Sequence, residues 1–96
     1  MVKKHQPICF DWDKANKDKN KIKHKVDHQE AEQVFFNHPL KNFIDIKHSQ
    51  KELRFYSLGK TDKNRYLTII YTVRNKKIRI ISARDQSRKE RKIYEN

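Results

Sequence analysis

Apolar and polar positions change period several times along this chain, and each change marks a candidate element. Ile8, Phe10 and Trp12 alternate with Cys9, Asp11 and Asp13, the two-residue period of a short, half-buried strand. From Asp13 to about Lys25 nearly every position is polar. A helix is expected there, with Asp13 as its N-cap, Ala15, Lys19 and Ile22 along one thin face, and lysines toward its negative pole. Asp27 and Glu30 have the spacing of a capping box, and Ala31, Val34, Phe35 and Phe36 then supply an apolar helical face that Pro39 ends. Four strand-like runs follow: Leu40 to Ile46, Leu53 to Leu58, Tyr66 to Val73 and Lys77 to Ala83. The links Gly59 to Asn64 and Arg74 to Asn75 read as hairpin turns, so consecutive strands should pair antiparallel. Ser87 and Glu90 form a second capping box, which predicts a closing helix over Arg88 to Glu95.

This order predicts a single α+β domain over 1–96, with a flexible segment at 1–7. A mostly antiparallel sheet of four to five strands is expected, with two N-terminal helices and a short C-terminal helix packed on one sheet face. With 34% apolar residues in 96, such a domain has a thin stability margin, and a bound partner would widen it.

Charge changes the picture most. The chain has 24 Lys and Arg against 12 Asp and Glu, a formal net charge of +12. That field draws polyanions, of which nucleic acid is the commonest cytoplasmic one. Membrane insertion is set aside, because the longest apolar runs, such as Leu67 to Tyr71, fall far short of the roughly 20 residues a spanning helix requires. The basic start, Met1 to Pro7, leads into no apolar stretch of the kind a secretory signal carries. The lone Cys9 has no internal disulfide partner, which fits a reducing, cytoplasmic compartment.

If Ile78 and Ile80 face the core, Arg79 lies on the opposite sheet face; Arg84 ends the strand, and Arg88 and Arg91 sit a helical turn apart. With Arg54 they are candidates for one basic, phosphate-binding surface, because a guanidinium fork makes two hydrogen bonds at once and keeps its charge. For any single cation in so basic a chain, plain solvation or phosphate steering is the more ordinary role. Metal-free RNA cleavage would further need proton transfer, for which His24, Glu90 and Tyr94 are candidates. Lys23, Tyr71, Lys77, Arg88 and Arg91 are candidate RNA contacts, and Tyr71 and Tyr94 could stack on bases. Trp12, Phe35, Phe36, Phe43 and Phe55 read as core. His24 and His28 have i, i+4 spacing, but it crosses a helix break and nothing completes a metal site, so neither metal nor cofactor is expected. Gly59 is the only glycine, which excludes a glycine-rich phosphate loop, and no nucleophile-triad signature occurs.

The segments Phe10-Asp-Trp-Asp13, Asn20 to Val26, Ala31 to Phe36, Arg54-Phe55, Tyr71-Thr72, Ile78 to Arg84 and Arg88 to Glu95 resemble, in order and spacing, the BrnT family of toxin–antitoxin systems. The resemblance implies a RelE-like fold and a ribonuclease that arrests translation. It also implies neutralisation by a BrnA-type antitoxin that carries the DNA-binding domain, so that operator DNA is met only through the antitoxin. It supports Arg54, Arg79 and Arg84 as functional positions, with Tyr71, Glu90 and Tyr94 behind them. One departure stands out: the family shows Lys-His-Gly-Val where this chain has Lys23-His24-Lys25-Val26. Lysine carries a steric cost in a left-handed cap, so the turn is expected to differ locally.

Two further readings fit the charge: a non-catalytic RNA-binding or ribosome-associated module, and a protein whose basic face serves only an acidic partner. Cleavage abolished by Arg84→Ala with the fold intact would single out the ribonuclease.

Overall fold

The computed structural model describes residues 8–48 and 50–96, so the flexible segment expected at 1–7 lies outside the described residues. Strand β1 (Phe10–Asp11) leads into helices α1 (Lys14–His24) and α2 (His28–Gln33), and a 3-10 turn (Val34–Phe36) extends α2. Then come β2 (Lys41–Ile44), a second 3-10 turn (Ile46–His48), β3 (Arg54–Lys60), β4 (Tyr66–Arg74), β5 (Lys77–Asp85) and α3 (Arg88–Glu95). The expected run from Leu40 to Ile46 is therefore cut short at Ile44, and the strand expected to stop at Leu58 continues through Gly59 to Lys60.

The five strands form one mixed sheet in the order β1-β5-β4-β3-β2. β2 to β5 are an antiparallel meander, and β1 joins β5 in parallel, with Phe10 opposite Ile78 and Asp11 opposite Arg79. Directly opposed residues point to the same side of a sheet, so the register defines two faces. Phe55, Tyr71 and Ile80 share one row of the first face, where Leu67, Ile69 and Ala83 pack with Val26, Ala31, Val34 and Phe35 as the main core. Helices α1 and α2 lie here. Gly59 also faces this side, and a methyl group on it would come within 2.4 Å of Val34 Cγ1, so the turn after α2 sits against bare backbone.

Helix α3 is the correction to the expected one-sided arrangement. Its Glu90 accepts from Thr68 Oγ1 at 2.9 Å, and Thr68 is opposite Leu58 and Arg84 on the second face. Tyr94 is 5% exposed and its hydroxyl donates to the Pro39 carbonyl at 2.7 Å. The closing helix thus covers one end of the face opposite α1 and α2, and a short amphipathic helix at a chain end can choose either side without changing its sequence pattern.

Two features of α1 position the edge of β5. A bulge between Ile70 and Tyr71 in the register leaves Ile81 without a partner on β4. Asn20, 1% exposed, donates to the Ile81 carbonyl at 3.4 Å and accepts from the Ala83 N–H at 3.2 Å, so a helix side chain continues the ladder where the two-residue β1 has ended. At the end of α1, Lys25 adopts φ 58° and ψ 35°, and the Val26 N–H reaches the Asn20 carbonyl at 3.1 Å. The left-handed cap is therefore kept with lysine in it, against the expected local change. Arg65 completes this cap, donating to the Lys25 carbonyl at 2.8 Å and the His24 carbonyl at 3.2 Å. The same guanidinium binds Asp85 at 2.8 Å and Glu30 at 3.3 Å, tying α1, α2 and β5 together.

Candidate nucleic-acid interface

The second face is uncovered beyond the reach of α3, and its cations are spread over two ends. At one end Arg54 on β3, Thr72 on β4 and Arg79 on β5 stand in a single row across three strands. At the other, Leu58, Thr68 and Arg84 form the row beneath α3. Arg79 and Arg84 are five residue steps apart along β5, roughly 16 Å. The sequence-derived arginines therefore share a face but do not converge on one phosphate.

At the Arg84 end the charges are paired. Arg84 grips Glu90 through two bonds, at 2.8 and 2.9 Å, and Glu90 also accepts from Thr68 and from the Ser87 N–H. Arg84 above all, then the Ser87 N–H and the Thr68 hydroxyl, hold the Glu90 carboxyl down to about 2 against the opposing effect of burial. This geometry suits an anchor for α3, and it leaves Glu90 without a proton near neutrality. Tyr94 gives its proton to Pro39, and burial, with Tyr66 beside it, pushes the phenol up. Burial first, then the charges of Lys23, Lys19 and Arg84, lower the His24 imidazole, which keeps it neutral and able to accept a proton. Arg91 sits over the Tyr66 ring at 3.6 Å, and Arg88 and Lys23 are exposed on their helices.

At the other end Arg79 is held by Asp11 at 3.0 Å and Asp13 at 3.3 Å. Next to this row opens a cavity of about 580 Å³ lined by Lys47, His48, Gln50, Lys51, Glu52, Arg54 and Arg74. Arg74 binds Glu52 at 2.8 Å and, with Arg54 and Arg79 farther off, lowers its carboxyl. His48 Nδ1 lies 2.9 Å from one Asp45 oxygen and 3.2 Å from the other. A carboxylate on Nδ1 fixes the imidazole's orientation and leaves Nε2 for a second partner. Lys77 lies nearby at the exposed β4–β5 turn, opposite Arg74.

Tyr71 is elsewhere. It is 8% exposed, its ring meets Phe35 at 5.2 Å and Phe55 at 5.4 Å, and it belongs to the core rather than to a base-binding surface. Phe36, expected in the core, is 60% exposed, and Phe43 stands on the uncovered face. His48, Asp45 and Arg65 escaped the sequence reading. Asp45 and His48 carry a usable signal in their three-residue spacing, but the strand expected over Leu40 to Ile46 takes in Asp45 and leaves His48 beyond its end, an arrangement that does not bring them together. Among the described residues no group of three or more His, Cys, Asp or Glu side chains is placed to hold a metal, and no helix is long and apolar enough to cross a membrane.

The fold is that of a small α+β domain with a mixed five-stranded sheet, helices α1 and α2 on one face and arginines on the other. A family model described as ribonuclease toxin, BrnT, of type II toxin–antitoxin systems matches residues 12–90, and the chain belongs to that family. In fold it is similar to the crystal structure of the Brucella abortus ribonuclease toxin BrnT, with a TM-score of 0.64 and 20% identity over 85% of this chain and 100% of that one. No curated protein matches the sequence.

Proposed function

We propose that this toxin is a metal-independent endoribonuclease that works in the cytoplasm, arrests translation by cutting RNA, and is neutralised by a BrnA-type antitoxin. The observation that carries the proposal is the cavity beside the Arg54–Thr72–Arg79 row, where four cations, Lys47, Lys51, Arg54 and Arg74, surround one carboxylate, Glu52, and one aspartate-bound histidine. Metal-free cleavage needs the 2′-hydroxyl to lose a proton as it attacks the adjacent phosphorus, a donor for the departing 5′-oxygen, and positive charge on the phosphorane. Arg54 and Lys51 are suited to the phosphorane. Arg79 is committed to Asp11 and Asp13, so it borders the site and adds little net positive charge to it. His48, oriented by Asp45, is suited to proton transfer, in place of Glu90 and Tyr94, whose polar atoms are committed to holding α3.

Arg84 acts on this view chiefly through the fold, and His24 ends α1, on the helix-covered side of the sheet and away from the cavity. The antitoxin occupies the same cations with acidic residues, so RNA and antitoxin exclude one another. Cellular RNA incubated with the protein in excess EDTA tests the reading: cleavage is expected from the wild type and not from Arg54→Ala. RNA that is bound yet stays intact in both reactions would replace the ribonuclease with a non-catalytic binding module.

A further inference from the structure

Between the two cationic rows the uncovered face carries a third row, in which Phe43, Tyr56, Ile70 and Ser82 lie opposite one another on β2, β3, β4 and β5. The Phe43 and Tyr56 rings are stacked, centroids 4.8 Å apart and 19° from parallel. Neither belongs to the main core, which lies across the sheet among Val34, Phe35, Leu67 and Ile69, and both are only half-buried. An aromatic pair that closes no core leaves apolar surface facing water, a standing cost unless something flat covers it.

The neighbouring row says what would. Arg54 is two residues from Tyr56 on the same strand and the same face, so the cation and the ring are about 7 Å apart along β3. Phe43 stands one strand farther out, its ring 4.8 Å from that of Tyr56, and the length of the arginine side chain keeps a base stacked on Phe43 within one nucleotide's reach of a phosphate at Arg54. Aromatic rings raised on a sheet face, with cations beside them, receive bases without regard to their hydrogen-bonding edges.

We propose that Phe43 and Tyr56 form the seat for a base of single-stranded RNA next to the phosphate held at Arg54, and so select unpaired over duplex substrate. This rests on the reading of the basic face as an RNA site. A base enters against the Phe43 ring, which stands on the edge strand β2, while Tyr56 backs Phe43 and Ile70 closes the row toward β5. In a duplex the base faces are already stacked and this seat stays empty.

The test compares the wild-type protein's affinity for a 2′-O-methyl hexanucleotide, which lacks the attacking hydroxyl, with that for the same backbone made abasic at three positions. The base-bearing strand is expected to bind roughly 5- to 150-fold tighter, the range for one base on one aromatic ring. Phe43→Ala should remove that ratio while leaving the salt dependence of binding unchanged, and Tyr56→Phe, which keeps the ring, should retain it. Equal affinity of the wild type for both strands overturns the proposal, as does an undiminished ratio in Phe43→Ala. Loss of antitoxin binding in Phe43→Ala together with no base dependence reassigns the pair to the protein partner. Base-dependent binding without cleavage of unmodified RNA keeps the seat and removes the ribonuclease.

Discussion

Arg84 and Glu90 meet as a two-pronged ion pair at 2.8 and 2.9 Å, and that pair, together with the buried Tyr94, holds the last helix on the sheet. The Arg84 side chain is 35% exposed and that of Glu90 19%, between the regimes of surface and buried pairs. Glu90→Gln should therefore cost on the order of 2 kcal/mol by leaving a half-buried guanidinium with a weaker partner. The pH dependence has a definite sign. The folded-state value is depressed to about 2 from 4.5, so the pair's contribution is complete above 4.5 and is lost as the pH falls toward 2. Denaturant melts at pH 7 and pH 3 should show the gap between wild type and Glu90→Gln narrowing in acid; a constant gap would show that the carboxylate is not the source.

Lys25 occupies the left-handed region at φ 58°, where a side chain without special bonding costs about 1 kcal/mol relative to glycine. Lys25→Gly should raise stability by up to about 1 kcal/mol, or roughly 4–8 °C in Tm for a domain of this size. The gain should vanish in an Arg65→Ala background if the cap's geometry depends on the guanidinium that binds the Lys25 carbonyl. Thermal melts of the two single variants and the double variant decide it.

Asn20 shows how a polar position in a polar helix can be structural. Removing its amide in Asn20→Ala leaves the Ala83 N–H and the Ile81 carbonyl at the β5 edge without this partner. The expected loss is about 1–3 kcal/mol. Hydrogen exchange should speed up at the Ala83 amide before the rest of β5, and unchanged protection there would refute the role.

What could be read from the sequence was what is local. Asp13, Asp27 with Glu30, and Ser87 with Glu90 all cap helices as their spacing predicts, because a cap is settled within four residues. The meander followed from turn chemistry and short links. The parallel pairing of Phe10 and Asp11 with Ile78 and Arg79 was out of reach, since 68 residues separate the partners and a two-residue strand has no pattern of its own. The bulge at Ile81 hid the change in side-chain phase that puts Arg79 and Arg84 on one face despite their odd separation. Tyr71 was misplaced for the opposite reason: its hydroxyl suggested a surface, while its odd-numbered phase with Leu67 and Ile69 already pointed inward. At the candidate site, Arg54 and Arg79 stood out by type, but His48 matters only because a 3-10 turn folds it back on Asp45.

That turn yields the sharpest prediction about chemistry. If His48 moves the proton and Asp45 orients it, His48→Gln should lower the rate of RNA cleavage by about 10²–10⁴, the usual weight of a positioned acid or base. Arg54→Ala should lower it on the order of 10²–10³ by removing charge from the phosphorane, with Arg54→Lys recovering only part because an ammonium offers no planar fork. Asp45→Asn should act on turnover and leave RNA affinity unchanged, since the carboxylate faces the imidazole and not the strand. Affinity is read separately, with the 2′-O-methyl strand that cannot be cut, so a variant that only weakens binding is told apart from one that stops the reaction. Exposed on a short turn, His48 contributes little to stability, and its variants should melt with the wild type. A fully active His48→Gln would return the proton-transfer role to His24, and His24→Gln assayed on the same RNA would then have to show the loss.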